Sequence, residues 1–180
     1  MKNSPAPFEL VPLYDENRIT ERVRELASEI DAVYEDQPLV AVCVLKGAFI
    51  FFSDLARALK NPNLELDFVR LSSYGMNSES SKHVIFGKDI ETDILNKHVL
   101  VVEDIVDSGH TMRFLLDQLS ARGPKSLKIA CLVDKYERRE ADIQVDFSGF
   151  RLSKGFIVGY GLDFAEKFRT LPCICEIVQK

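Results

Sequence analysis

Glu103 and Asp104 are adjacent carboxylates placed directly after the apolar run Val99 to Val102. Two neighbouring acids at the end of a strand repel each other and resist desolvation, so their chemistry is to receive a cation or a row of hydroxyl groups. The residues that follow, Asp107, Ser108, Gly109, His110 and Thr111, suit a different partner. Gly109 permits close backbone approach, and Ser108 and Thr111 bring hydroxyl donors. Met112, Leu115, Leu116 and Leu119 then fall at helical spacing, so the loop feeds a helix N-terminus, where free N–H groups and the dipole favour a phosphate. Acid for a sugar diol or a metal thus stands beside donors for a phosphate. A strand–turn–helix N-capped by Asp107 or Ser108 is the plain alternative, and it leaves the acidic pair unexplained. Neither the P-loop pattern nor the dinucleotide glycine pattern occurs.

Two further strand ends carry cations. Leu39 to Leu45 is a continuous apolar run that passes straight into Lys46-Gly47-Ala48. Leu127, Ile129, Cys131 and Val133 alternate along a strand that delivers Asp134 and Lys135 at its end. Taken alone, either lysine reads as an ordinary solvated or salt-bridging side chain.

The elements that must hold these residues follow from the apolar periodicity. Ile19, Val23, Leu26, Ala27, Ile30 and Val33 form the inward stripe of a first helix, with Glu21, Arg22, Arg24 and Glu25 outward. Phe52, Leu55, Ala56 and Leu59 mark one face of a helix after Lys46-Gly47. Leu64 to Leu71 is another strand, left by RLSSYG at 70–75. The polar segment MNSESSK, Met76 to Lys82, is too weakly apolar to be held by a core, so it is expected to be a mobile lid or an exposed loop. His83 and His98 read as surface or strand-end residues. Gly123-Pro124 stops the helix after the central motif. Near the end, Phe156, Ile157 and Val158 read by themselves as core strand, and Cys173 to Val178 as a last strand. Repeated strand–loop–helix units indicate an α/β domain built on a twisted, mainly parallel sheet flanked by helices, with a site at the carboxyl ends of its strands.

With 180 residues, 46% of them hydrophobic and 28% charged, the chain fits one soluble domain rather than two. A formal net charge of −5 argues against non-specific nucleic-acid binding, yet it permits an anion pocket made of backbone N–H groups. No run reaches membrane-span length, and Met1 to Pro12 lacks the order of a signal peptide, so a cytoplasmic protein with no membrane partner is expected. Cys43, Cys131, Cys173 and Cys175 have no metal-ligand or redox spacing and read as reduced core or near-core residues.

The stretch VVEDIVDSGHT resembles the phosphoribosyl pyrophosphate (PRPP) binding motif of type I phosphoribosyltransferases, and its acidic pair followed by Asp-Ser-Gly-x-Thr resembles the hypoxanthine-guanine branch. The likeness runs from about Val40 to Val178. It implies the type I phosphoribosyltransferase fold: one domain over 1–180, with a core at about 36–140 and a small hood from the N-terminal segment and about 150–180. It also implies that Glu103 through Thr111, with Ile105 and Val106 among them, bind the ribose phosphate of PRPP, and that Asp107 is the acid/base near purine N7. LKGA is similar to the family's pyrophosphate loop, often held by a cis peptide, which assigns Lys46 and Gly47 to the diphosphate. Ser73 and Tyr74 match the start of the flexible loop that closes over the site. LVDK matches the family position where Lys135 donates to the oxygen of a 6-oxopurine. GFIVGYGLDFAEKFR, residues 155–169, looks like the purine-binding hood: Phe156 matches the stacking ring, Ile157 the backbone at the base edge, Asp163 a magnesium-linked acid and Arg169 a pyrophosphate-side cation. Many relatives carry a charged residue immediately before the aromatic, and this chain has Gly155 there with Lys154 one step earlier.

The implied reaction joins hypoxanthine or guanine N9 to C1 of PRPP with Mg2+ as cofactor, bound through Glu103, Asp104 and Asp163. The implied partners are PRPP and a 6-oxopurine, with a homodimer or homotetramer as the assembly. A PRPP-sensing regulator that keeps the fold and binds nucleic acid is the rival reading, and the acidic balance and the presence of Asp107 and Lys135 count against it.

Overall fold

The computed structural model describes residues 8–74 and 83–179. In chain order the elements are β1 (Phe8–Tyr14), α1 (Glu16–Tyr34), β2 (Leu39–Leu45), α2 (Phe49–Ala58), β3 (Leu64–Tyr74), β4 (His83–Lys88), β5 (His98–Val106), α3 (His110–Ser120), β6 (Ser126–Lys135), β7 (Phe147–Leu152), β8 (Ile157–Val158) and β9 (Ile174–Gln179). Six strands form one sheet in the order β4-β3-β2-β5-β6-β7, and β1-β9-β8 form a second, smaller one. Every pairing in the larger sheet is parallel except β3 with β4.

Strand alternation divides the core in two. Leu39, Ala41 and Cys43 of β2 face the same side as Leu100 and Val102 of β5, and there they meet Ile19, Val23, Leu26 and Ile30 of α1 with Phe51, Phe52 and Leu55 of α2. Val40, Val42, Val99 and Val101 point the other way, into Met112, Leu115 and Leu119 of α3. Both faces of β2 and β5 are therefore dry, which is why their sequences read as unbroken apolar runs.

Helix α1 starts where Asp15 accepts from the Arg18 backbone N–H at 2.8 Å. Its stripe differs from the expected one at a single place: Val33 is exposed and Tyr34 is buried. Four residues beyond Ile30 the helix turns its side chain inward, whereas three residues beyond it does not. In α2 the buried face is Phe51, Phe52 and Leu55, with Ala56 and Leu59 only half-buried, because the helix ends at Ala58 and Leu59 is already extended.

Strand β5 does not stop at the acids. It stays paired with β6 as far as Val106, with Glu103 opposite Cys131, Ile105 opposite Val133 and Val106 opposite Asp134. The carboxylates are thus within a hydrogen-bonded strand rather than beyond its end. Likewise β3 continues through Ser73 and Tyr74, pairing with Val84 and His83 of β4. The segment Met76 to Lys82 lies outside the described residues. The larger sheet also runs past residue 140, through β7, where Gly149 approaches β6 so closely that a Cβ there would sit 2.5 Å from the Leu132 carbonyl oxygen. The small sheet joins the N-terminal β1 to the C-terminal β8 and β9. All four cysteines are free thiols.

The sequence order of the strands reverses between β2 and β5, where chain leaves the sheet in opposite directions. A crevice opens at the carboxyl ends of the strands flanking such a reversal. Lys46-Gly47 follows β2, Asp107 to Gly109 follows β5, and Lys135 closes β6, so one edge of the sheet gathers all three.

Candidate active site

The pleat of β5 sends successive side chains to opposite faces, and its two acids accordingly line different spaces. Glu103 borders a small cavity of about 160 Å³ together with Ile105, Val106, Asp107, Ser108, Gly109, Thr111 and Met112. Asp104 borders a larger cleft of about 570 Å³, shared with Lys135, Phe156 and Asp163 among others. Burial pushes the Glu103 carboxyl well above the usual carboxylate range, and the Asp104 charge adds to the effect. Burial also raises Asp104, against the hydrogen bond from Glu103 and the backbone donors that lower it. Backbone relief is slight: the Asp104 N–H donates to Glu103 Oε1 at 3.1 Å, and the Ile105 N–H to Asp104 Oδ1 at 2.9 Å. Both groups would gain by a cation or by donating hydroxyls.

After β5 the chain makes no side-chain cap. Gly109, at φ 87°, starts α3, and neither Asp107 nor Ser108 caps it, so the plain reading of this loop as an N-capped turn is not what the chain adopts. Asp107 Oδ1 is buried without a partner among the described residues, and Oδ2 is 3.6 Å from Arg138 Nη1. A buried, unpartnered carboxylate oxygen at the mouth of a cleft awaits a donor. The His110 ring is turned to the surface, where Nε2 meets Glu140 Oε2 at 2.8 Å.

On the β2 side, the Leu45–Lys46 peptide is cis, as the resemblance led one to expect. Gly47 is packed against the acid: a Cβ there would lie 1.8 Å from Asp104 Oδ2. The hood reaches the same point, since a Cβ on Gly161 would fall 2.1 Å from the Gly47 carbonyl oxygen. Lys46 Nζ is 2.9 Å from Glu166 Oε2. Arg169 donates through Nη1 to the Gly161 carbonyl at 2.7 Å, and its Nη2 lies 2.7 Å from Asp163 Oδ1. Arg169 Nε is buried and unpartnered among the described residues.

Lys135 is buried, and its ammonium donates to the Gly155 carbonyl at 2.6 Å. Gly155 has φ 107°, and a Cβ there would meet Glu176 Oε1 at 2.6 Å, so no side chain fits this backbone without displacement. The departure at 155 is thus local geometry, and the residue's contribution is its carbonyl. Phe156 does not behave as core: it is 51% exposed, with its ring edge-to-face against Phe164 at 5.5 Å, which leaves a face of the ring available. Ile157 is buried in β8, and its neighbour's carbonyl accepts from the Ile177 N–H at 2.7 Å.

Several site residues gave no signal in the sequence. Arg138 and Leu162 line the larger cleft, alongside Lys154. Arg139 is more deeply involved: its guanidinium donates to the Asp107 carbonyl at 3.0 Å, the Val106 carbonyl at 3.2 Å, Asp134 Oδ1 at 2.6 Å and the Lys135 carbonyl at 3.3 Å. One side chain therefore ties the end of β5 to the end of β6. The doublet Arg138-Arg139 lies in an unpatterned charged loop, YERRE, where periodicity carries no information. Ser73 and Tyr74 are placed at the end of β3.

The three acids expected to share a metal do not form one cage. Among the described residues no group of three or more His, Cys, Asp or Glu is arranged to hold a metal ion, and Asp163 is engaged by Arg169 and by the Glu166 N–H at 2.8 Å. Asp104 and Asp163 nevertheless border the same cleft as hard oxygen donors. That is the donor set magnesium accepts when substrate phosphates and water complete its shell.

A family model described as phosphoribosyl transferase domain matches residues 12–165. A hypoxanthine phosphoribosyltransferase of Buchnera aphidicola is 43% identical over 170 residues, covering 93% of this chain and 96% of the relative. A hypoxanthine-guanine-xanthine phosphoribosyltransferase of Tritrichomonas foetus is 44% identical over 163 residues, covering 90% and 88%. Among solved structures, a hypoxanthine-guanine phosphoribosyltransferase of Bacillus anthracis superposes with a TM-score of 0.87 at 44% identity, covering 94% of this chain and 99% of that one.

Proposed function

The chain belongs to the phosphoribosyltransferase family, and from that premise we propose that it is a purine salvage enzyme, transferring the 5-phosphoribosyl group of PRPP to N9 of hypoxanthine and of guanine. The products are IMP or GMP and pyrophosphate. The bond from C1 to the pyrophosphate oxygen breaks with its electron pair leaving on that oxygen, and the bond from C1 to purine N9 forms. The observation that carries this reading is the meeting of three groups in one cleft of about 570 Å³: the Asp107 carboxylate, the Lys135 ammonium and the half-exposed Phe156 ring.

Each group has a task that its surroundings support. Phe156 stacks on the base, and Lys135 donates to its exocyclic oxygen; an ammonium has no acceptor for an amino group, so adenine is disfavoured. Asp107 accepts the proton at N7 as N9 attacks, a task suited to its Oδ1, which has no partner among the described residues. Glu103 and Asp104 hold the ribose hydroxyls. The backbone N–H groups from Ile105 to Thr111, with the Ser108 and Thr111 hydroxyls, hold the 5-phosphate in the smaller cavity. Lys46, the Gly47 backbone and Arg169 take the diphosphate, and Ser73 and Tyr74 begin the loop that closes the site. Bringing the two substrates together supplies much of the rate.

Magnesium fits the oxygen donors of the cleft and would be held by Asp104 and Asp163, where it would neutralise charge growing on the leaving group. The chain works as one domain over 1–180, as a homodimer or homotetramer; exposed Phe49, Leu66 and Phe68 support a subunit interface. Its free thiols suit the cytoplasm.

Steady-state nucleotide formation from PRPP and magnesium, with hypoxanthine, guanine, xanthine and adenine in turn, tests this reading. Turnover of oxopurines with adenine inert is the expected result. Failure to turn over any base, with PRPP still bound, would leave a PRPP-binding regulator in its place.

A further inference from the structure

Glu166 is the acid of this site that the reaction leaves without a task, and it stands between the two cations assigned to the diphosphate. One oxygen of its carboxylate, Oε2, is 2.9 Å from Lys46 Nζ and 3.5 Å from Arg169 Nη2. The contact is built by the backbone rather than by chance side-chain reach. Ala165 and Glu166 both adopt positive φ, 53° and 62°, in a turn closed by the Phe164–Lys167 bridge, and the Glu166 N–H is anchored on Asp163 Oδ2 at 2.8 Å. A tight turn whose two residues leave ordinary backbone space is held by its surroundings, and here it holds a carboxylate over Lys46.

We infer that Glu166 is an affinity-setting residue: its carboxylate stands in for the diphosphate while the site is free, and PRPP or pyrophosphate must displace it to reach Lys46 and Arg169. This rests on the assignment of those two cations to the diphosphate. The chemistry is a competition between anions for the same donors. A diphosphate carries several charges and offers more acceptor oxygens, so it wins; but the carboxylate, tethered at the spot, weakens its binding and eases its departure. The neighbouring pairing differs in kind: Asp163 sits 2.7 Å from Arg169 Nη2, while Arg169 Nη1 is bound to the Gly161 carbonyl, so this bond holds the guanidinium in place, whereas Glu166 is 64% exposed and free to swing away. Arg169 Nε, buried and without a partner among the described residues, remains as a donor that neither acid satisfies.

The test is direct binding of inorganic pyrophosphate with magnesium, measured by titration calorimetry on the wild-type protein and on Glu166→Gln, with steady-state KM for PRPP and kcat alongside. The expected result is tighter pyrophosphate binding and a lower KM in the variant by roughly two- to fivefold, the range of an exposed ion pair, with kcat unchanged or reduced as product leaves more slowly. Glu166→Ala, which removes the acceptor altogether, should move both quantities the same way, so the reading does not depend on one variant folding well. Unchanged or weaker pyrophosphate binding in both variants overturns the role of Glu166. A wild-type protein that binds neither pyrophosphate nor PRPP overturns the functional assignment itself, and this inference with it.

Discussion

Gly47, in the loop after β2, and Asp104, within β5, touch so closely that a methyl group on residue 47 would lie 1.8 Å from the carboxylate oxygen. Gly47→Ala must therefore push aside either the acid or the Lys46 loop. The expected outcome is a folded protein whose kcat/KM for PRPP falls by about 100-fold, because displacements near 1 Å at a reacting centre have effects of that size. Circular dichroism and thermal melting separate this from unfolding. Near-normal kinetics in a folded variant would show that the contact has no part in the reaction.

Asp107→Asn keeps the shape of the side chain and removes its capacity to take a proton. If Oδ1 receives the N7 proton, kcat should fall by about 100- to 10,000-fold with little change in PRPP binding. A variant with full turnover would remove Asp107 from acid/base duty.

Lys135→Gln exchanges a donor-only group for one that both donates and accepts. The ratio of kcat/KM for hypoxanthine over adenine should drop by about 10- to 100-fold, the loss of one charge-assisted hydrogen bond plus relief of the clash with an amino group. An unchanged ratio would place base selection elsewhere in the hood.

Arg139 is a positioning residue. Its replacement by Ala leaves the buried Asp134 carboxylate only the longer contact to Arg151 at 3.5 Å and takes this donor from three strand-end carbonyls, which should cost about 1–3 kcal/mol in denaturant unfolding and lower kcat as Asp107 and Lys135 lose their common brace. Arg139→Lys should recover little of either, since an ammonium cannot span the same acceptors. Full recovery by lysine would reduce the role to charge alone.

The acidic pair sets a pH dependence whose sign is opposite to that of ordinary salt-bridged carboxylates. Burial raises both groups from their usual values of 4.5 and 3.8, so the folded chain holds these protons better than the unfolded chain does. Stability contributed by the pair is present at low pH and is lost as pH rises through the folded-state values. The melting temperature of metal-free Glu103→Gln should thus gain on that of the wild type as pH rises, because the variant lacks the contribution that is lost. Parallel curves for wild type and variant would count against it.

The central motif and the two lysine-bearing strand ends were legible because each joins a strand-like apolar pattern to charged residues at its end. Helices α1 and α3 were legible by period. β7 was not, since FSGFRL interrupts its alternation with Gly149, whose place in a strand is explained only by the Leu132 carbonyl it faces. The extension of β5 through Glu103 was hidden for a related reason: acids are read as strand terminators, and only pairing with Cys131 and Val133 shows that this strand carries them inside the sheet. Arg139 and Glu166 escaped because the partners that tie them to the site, the Val106 and Asp107 carbonyls for one and Lys46 for the other, are distant in sequence, which no local pattern encodes.

The pleat of β5 has one more consequence. Because Glu103 lines the small cavity and Asp104 the cleft, successive residues of a single strand act as a ruler between the two spaces, its divisions about 3.3 Å apart. A ruler of this kind has no tolerance for a change of length. Deleting or inserting one residue between Val102 and Asp107 would reverse which acid faces which space, so this strand can absorb exchanges of side chain but not a shift of phase.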